Sequence, residues 1–562
     1  MQADFTETEM GPVAECANVS DSGPLFIGND TLTVSSAAQF AKAVRPGQPL
    51  VRIDPDVEDR LARSVALKHE LIATRQPIYG VTTGFGDSAI RQISPTKATA
   101  LQSNLIDYHL NGSGPTASPE VVRATLLVRA NCLARGYSGV RRQVIHRLID
   151  MLDHDLLPVI PERGSVGASG DLVPLCYLAN VVKGHGEVFC GSEIRGAREV
   201  LRELGLEPIV LEAKEALALI NGTSFMSGFA IHATHDASEL AVIADVCTAL
   251  TAEALCGNRG HFDAAIHRQK PHPGQIRSAA RTHLLLDGSG LSREYAQVLE
   301  ANPRLGDHGF LKLDRAIQDR YSLRCAPHVT GVLYDTLTWA TQWVEVEINS
   351  TNDNPLFDPD SASVYSGGNF YGGHIGQSMD AMKLAVASVA DLLDRQLALV
   401  VDEKFNHGLT PNLIPRFEDD AFEAGLHHGF KGAQLACSSL VAEALKLTNP
   451  ATAFSRSTEA HNQDKVSMGT IAARDARTIV ELTQNVAAIH LIALCQAVDL
   501  RGSDKLGNGT RAVYELIRRH VSFLARDRRL DRDIDAVVAL IRSNAISAAI
   551  APVLGEADAS IA

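Results

Sequence analysis

The sequence predicts a mainly α fold, in which a loop-rich N-terminal part, residues 31–222, leads into a long-helix bundle, residues 223–562, as one continuous structure. Three observations predict it. Of 562 residues, 45% are hydrophobic but only 5% aromatic, so aliphatic side chains and alanine must fill a large core. From Glu215 onward, alanine- and leucine-rich stretches keep the helical period over many turns. Strand signals are few.

The elements follow in order. Residues 1–30 are acidic: Asp4, Glu7, Glu9, Glu15, Asp21 and Asp30 all precede the first basic residue, Lys42. This polar tail lacks a basic n-region and an apolar h-region, so it is expected to be a disordered extension and not a signal peptide. Residues 33–160 show helical signals broken by loops. Within them Val122, Leu126, Leu127, Ala130 and Leu133 fall at three-and-four spacing, on one face of a helix over 121–135. Between 158 and 191, three prolines and six glycines mark a loop-rich region of short elements. The bundle is expected as helices near 226–257, 328–348, 375–403, 431–447 and 470–500. The third keeps its period through Met382, Ala385, Val389, Leu392, Leu393, Leu397 and Val400, and its nearly all-round apolar character calls for cover by other helices or other subunits.

Composition excludes several functions. A net charge of −14 leaves no basic face for nucleic acid or an anionic membrane. No uninterrupted apolar stretch reaches the roughly 18 residues of a membrane span, so a soluble, cytoplasmic protein is expected. The nine cysteines are dispersed without C-x-x-C or Cys/His ligand spacing, which reads as reduced, mostly buried thiols and no metal site.

Five strings carry chemistry. Arg163-Gly164-Ser165-Val166-Gly167-Ala168-Ser169-Gly170-Asp171 packs three glycines into a sharp bend, and neither serine has the G-x-S-x-G frame of a hydrolase elbow. Tyr79-Gly80-Val81-Thr82-Thr83-Gly84-Phe85-Gly86 is glycine-rich but has neither the P-loop nor the Rossmann spacing. Lys214 to Thr223 reads as a short helix stopping at Asn221-Gly222. Gln318-Asp319-Arg320-Tyr321-Ser322-Leu323-Arg324-Cys325 precedes Ser350-Thr351-Asn352-Asp353-Asn354-Pro355, and a guanidinium fork such as that of Arg324 suits both oxygens of an amino acid carboxylate. The last string is Glu459-Ala460-His461-Asn462-Gln463-Asp464.

Taken in order over about residues 33–510, these strings resemble the aromatic amino acid ammonia-lyases and 2,3-aminomutases. The resemblance implies that Ala168-Ser169-Gly170 cyclises autocatalytically with loss of two waters to 4-methylidene-imidazol-5-one (MIO), with no diffusible cofactor and no metal. The tight bend then has a purpose: it presses the Gly170 amide nitrogen toward the Ala168 carbonyl carbon, a geometry an extended chain does not sample. By the same resemblance Tyr79 is the catalytic base on a mobile lid, and Asn221 bonds the MIO ring or the substrate carboxylate. Arg324 anchors the carboxylate, aided by Asn354 and with Gln318 beside it, and Tyr321 lies near the amine and the MIO. Phe370 packs by the group, Glu459 receives the amine proton, and Asn462 and Gln463 complete the site. A homotetramer with active sites shared between subunits is implied.

The family's selectivity pair falls here at Tyr108-His109. Phenylalanine enzymes tend to show Phe-Leu, tyrosine enzymes His-Leu and histidine enzymes Ser-His; Tyr-His matches none of them. Histidine enzymes carry Glu where this chain has Gln463, which points away from histidine. The expected substrate is a small aromatic amino acid, L-phenylalanine or L-tyrosine, losing ammonia to give a trans-cinnamate or coumarate; the alternative is a 2,3-aminomutase giving the β-amino acid. The strings around Gly84-Phe85-Gly86-Asp87-Ser88 and Tyr108 to Gly112 are similar to those of bacterial phenylalanine and tyrosine lyases and aminomutases.

Overall fold

The computed structural model describes residues 24–29, 32–43, 50–191, 193–307 and 309–561, with side chains to residue 555. Most of the expected acidic tail lies outside the described residues. Its boundary at residue 30 is nonetheless too late, because Leu25–Ile27 pairs as a short parallel strand with Val51–Ile53, where Ile27 and Val51 are buried.

The bundle is built from Ser224–Ala254, Ala326–Ile348, Gly373–Val401, Lys431–Lys446 and Gly469–Arg501, within three residues of the sequence expectation at every end. Gly469–Arg501 runs through the middle, packed along Gly373–Val401 and Ser224–Ala254, with Lys431–Lys446 and Ala326–Ile348 outside. Small residues let these helices approach closely. A Cβ on Gly228 would stand 2.7 Å from Thr125 Oγ1 and 2.8 Å from the Val121 carbonyl oxygen of the neighbouring Pro119–Ala134 helix. By length and composition Gly469–Arg501 is apolar enough to cross a membrane although polar residues interrupt its apolar run; 78% of its apolar stretch is buried within the bundle.

Pro119–Ala134 departs from the one-faced helix the sequence suggests. Every residue from Val121 to Ala134 is buried, because Val34–Lys42, Arg142–Asp153 and Ser224–Ala254 surround it. Two of its polar residues find partners inside: Arg123 pairs with Asp155 at 2.7 Å, and Asn131 donates to the Ile348 carbonyl at 2.8 Å. The strands form small sheets at the edge of the bundle. One of them, Ser113–Thr116 with Pro161–Arg163, delivers the chain into the glycine-rich bend.

Outward faces of the bundle keep apolar side chains in water. Val332 is 56% exposed, Val346 68%, Leu384 58% and Leu435 70%.

Candidate active site

The bend between the Pro161–Arg163 strand and the Leu172–Val182 helix takes a left-handed path: Gly167 has φ +75°, Ser169 +53° and Gly170 +75°. For Ser169 this backbone costs roughly 1–2 kcal/mol, so its surroundings must hold it. Gly170 has no alternative, because a Cβ there would overlap the Gly222 carbonyl. Two amides grip Ser169: Asn221 Nδ2 donates to its carbonyl at 3.0 Å and Gln463 Nε2 to its Oγ at 3.0 Å. The chain beyond is anchored by Asp171, whose N–H donates to the Gly222 carbonyl at 2.7 Å. The buried Asp171 carboxylate accepts from Ser165 Oγ, Thr470 Oγ1 and the Met226 N–H, and burial still pushes it up to about 6.

Tyr79 sits on a turn pinned by Thr82, whose Oγ1 accepts from the Ile78 N–H and donates to the Gln76 carbonyl. The Tyr79 hydroxyl oxygen accepts from the Gly86 N–H at 3.0 Å. Burial pushes the phenol up, the Gly86 bond pulls it back, and Glu459 adds to the rise. The Glu459 carboxylate accepts from the Asp87 N–H at 3.0 and 3.1 Å, so the group expected to receive an amine proton also ties the tyrosine loop to the 458–463 turn. Glu459, Ala460 and His461 are all left-handed, and His461 is hydrogen-bonded to Ser457 through Nδ1 at 2.8 Å.

Tyr79, Ala168, Ser169, Asn221, Asn354, Phe370, Asn462 and Gln463 line one cavity of about 300 Å³, as do Tyr371, Asp464 and Lys465, which sequence reasoning missed. The anchors of the bend, Ser165, Asp171 and Thr470, were also missed; the one local signal is an Asp directly after the tripeptide. Tyr108 and His109 end the Ala98–Asp107 helix with ring centroids 4.4 Å apart. Tyr108 is near Tyr79 and Glu459, and although its side chain is more than half exposed, desolvation of its hydroxyl pushes the phenol up. His109 Nδ1 lies 2.8 Å from the Leu105 carbonyl, which can only accept, so Nδ1 carries the proton and Nε2 is the acceptor; burial lowers the ring's affinity for a second proton.

Of the expected residues, Gly170, Tyr108, His109 and Glu459 are not among those lining this cavity, and three others lie well away from it. Arg324 donates through Nε to the Asp319 carbonyl at 3.0 Å and stacks 4.5 Å from the ring centroid of Tyr321, itself 71% exposed, and Gln318 is exposed nearby. The neighbouring Ser322 carbonyl accepts from Gln396 at 2.9 Å. Gln396 stands about 35 Å along the Gly373–Val401 helix from Gly373, the end beside Phe370 and Tyr371, at 1.5 Å per residue. Within the chain, Gln318, Tyr321 and Arg324 are remote from Ser169.

Thr223, which follows the Asn221-Gly222 pair, donates to Glu347 at 2.6 Å, and burial raises that carboxyl to about 7. A carboxyl whose folded pKa exceeds its unfolded value stabilises the protein at low pH and loses that contribution as pH rises toward 7. Relative to the native chain, Glu347→Gln is therefore expected to gain about 3 kcal/mol of stability between pH 4.5 and 8, read as a Tm difference that widens with pH. A difference independent of pH contradicts this.

Fold and cavity together define an enzyme whose own backbone supplies a reactive centre. A family profile described as aromatic amino acid lyase matches residues 32–519, and the chain belongs to that family of MIO-dependent carbon–nitrogen lyases, in which the group forms autocatalytically. Among its relatives, a histidine ammonia-lyase of Gloeobacter violaceus is 41% identical over 524 residues, covering 93% of this chain and 98% of that one. A tyrosine ammonia-lyase of Cupriavidus metallidurans is 40% identical over 532 residues, covering 93% and 97%. The crystal structure of a tyrosine aminomutase from Streptomyces globisporus superposes with a TM-score of 0.87 at 35% identity, covering 94% of this chain and 99% of that one.

The residues present fit the prosthetic group. The left-handed Ser169-Gly170 pair has the bend that ring closure needs, no side chain fits at position 170, and Asn221 Oδ1 is buried beside the tripeptide without a partner.

Proposed function

We propose that this chain eliminates ammonia from an aromatic L-amino acid, in first place L-tyrosine, whose ring carries a hydrogen-bond donor, and more slowly L-phenylalanine, whose ring carries none. The observation that carries the reading is the single cavity in which Tyr79 faces a Ser169 held by Asn221 and Gln463. A volume of about 300 Å³ suits one amino acid of this size.

Once formed, the prosthetic group supplies an electrophilic methylidene at position 169 that no unmodified side chain offers. Tyr79 accepts the β-proton at its phenolate oxygen, where the Gly86 N–H stabilises the negative charge. Water exclusion comes from the 79–87 loop, fastened by Glu459 to the 458–463 turn. Glu459 accepts the proton that the substrate ammonium gives up to become a free amine, and returns it as ammonia leaves. Arg324 binds the substrate carboxylate as a fork, helped by Asn354. Since Arg324 lies far from Ser169 in its own protomer, it serves the site of another, and the exposed Val332, Val346, Leu384 and Leu435 are the surfaces that a homotetramer would cover.

His109 sets the ring preference. With Nδ1 committed to Leu105, its acceptor Nε2 receives a phenol O–H, and a site built for that bond rejects a ring lacking it. His109→Leu is expected to shift the tyrosine-to-phenylalanine ratio of kcat/KM toward phenylalanine by about 100-fold; an unchanged ratio removes the assignment. A second reading, histidine as substrate, is favoured by the names of several relatives, and an imidazole N–H also suits Nε2. Gln463 speaks against it, since a neutral amide offers no charge to an imidazolium. Product analysis with tyrosine, phenylalanine and histidine, following both arylacrylate and β-amino acid, tests all of these. Coumarate from tyrosine without β-tyrosine is the expected result, urocanate from histidine alone would replace the reading, and β-tyrosine would make the enzyme an aminomutase.

A further inference from the structure

Under the tripeptide lies a group of buried charges that the chemistry above does not use. Arg129, on the Pro119–Ala134 helix, is wholly buried and spends its guanidinium on backbone: Nη2 donates to the Asn352 carbonyl at 2.9 Å and Nη1 to the Asn221 carbonyl at 3.3 Å, with the Cys132 sulfur alongside. The chain at Gly222 passes so close that a Cβ would strike both Arg129 Nη1 and the Asn352 carbonyl oxygen. Lys214, equally buried and left-handed at φ +80°, donates to Asp353 Oδ1 at 2.6 Å and to the Asn354 carbonyl at 3.3 Å; the same Asp353 oxygen accepts the Asn354 N–H at 2.7 Å.

The arrangement has a direction. Lys214 opens the short Glu215–Ile220 helix that ends on Asn221. The two segments carrying Asn221 and Asn354, both of which line the cavity, are thus tied to each other twice, through Lys214 at one end and Arg129 at the other. Burying two cations and a carboxylate is expensive, and a core needing only stability is served as well by apolar side chains of similar volume. What the charges add is a fixed register between two backbones, each held at its carbonyls.

We propose that Arg129, Lys214 and Asp353 are positioning residues that lock the Asn221 and Asn354 segments together beneath the tripeptide, and so set both its cyclisation and the turnover rate. The proposal rests on the lyase reading above.

The test measures hydrogen–deuterium exchange over 214–223 and 350–356, the fraction of chain lacking two waters by intact mass, and kcat with KM. In Arg129→Met, exchange is expected to rise about tenfold in both segments together while the Gly469–Arg501 helix is unaffected. The two-water deficit becomes partial, and kcat falls about 100-fold with KM within about threefold, as for a small misplacement of groups about the reacting atoms. Arg129→Lys, which keeps the charge, recovers part of each loss. A folded Arg129→Met with native exchange and native kcat overturns the proposal. If that variant does not fold, Asp353→Asn, nearly identical in shape, takes its place under the same readouts, and native values there overturn it equally. A native chain without the mass deficit and without lyase activity defeats the functional reading instead, and the exchange of the two segments still decides for or against their coupling.

Discussion

Replacing Ser169 by alanine is expected to abolish turnover, lowering kcat/KM roughly 10³-fold or more. The cause is specific. The side-chain carbon of Ser169 becomes the methylidene once its hydroxyl leaves as water, and alanine has no leaving group at that carbon. The native chain is expected to weigh two waters less than its sequence, whereas Ser169→Ala keeps at least the water of that hydroxyl step. The fold should survive, because the anchors on either side, Asp171 with Thr470 and Gly170 with Gly222, do not involve the serine hydroxyl. The bond lost is the one from Gln463 Nε2 to Ser169 Oγ. A variant with native activity would show that the electrophile does not arise from this tripeptide.

Tyr79→Phe is expected to lower kcat by about 10²–10⁴-fold while leaving the two-water deficit intact, which separates the base from the electrophile. The phenol is pushed above its ordinary value, chiefly by burial. With Tyr79 as the proposed base the active form is the phenolate, and below its pKa the phenolate fraction grows tenfold per pH unit, so kcat/KM of the native enzyme should climb steadily from pH 7 toward 10. The residual rate of Tyr79→Phe should lose that slope. Loss of the mass deficit in the variant would instead assign Tyr79 to formation of the prosthetic group.

The helices of the bundle are written in the chain because a 3.6-residue period is local, and each end lies within three residues of its expected place. The bend at Ala168-Ser169-Gly170 is equally legible, since clustered glycines mark left-handed backbone. Burial is not local. Pro119–Ala134 displays one apolar stripe in sequence yet is enclosed on every side, and its Arg129 and Asn131 turn inward to bond backbone carbonyls from segments more than 90 residues away. Asp171 looks like an ordinary cap before a helix, but its carboxylate instead holds Thr470, far along the chain.

Periodicity thus suffices for the mainly α architecture, and the motif strings for the resemblance that implies the family and the source of the electrophile, because each is a property of a few neighbouring residues. Which motifs share one cavity is a matter of three-dimensional distance. Gln463 reaches Ser169 because the chain doubles back through the bundle, whereas Arg324 remains at the far end of a 29-residue helix from Phe370. Rigid helices convert sequence separation into length at 1.5 Å per residue, and the turns between them decide whether that length is cancelled or kept.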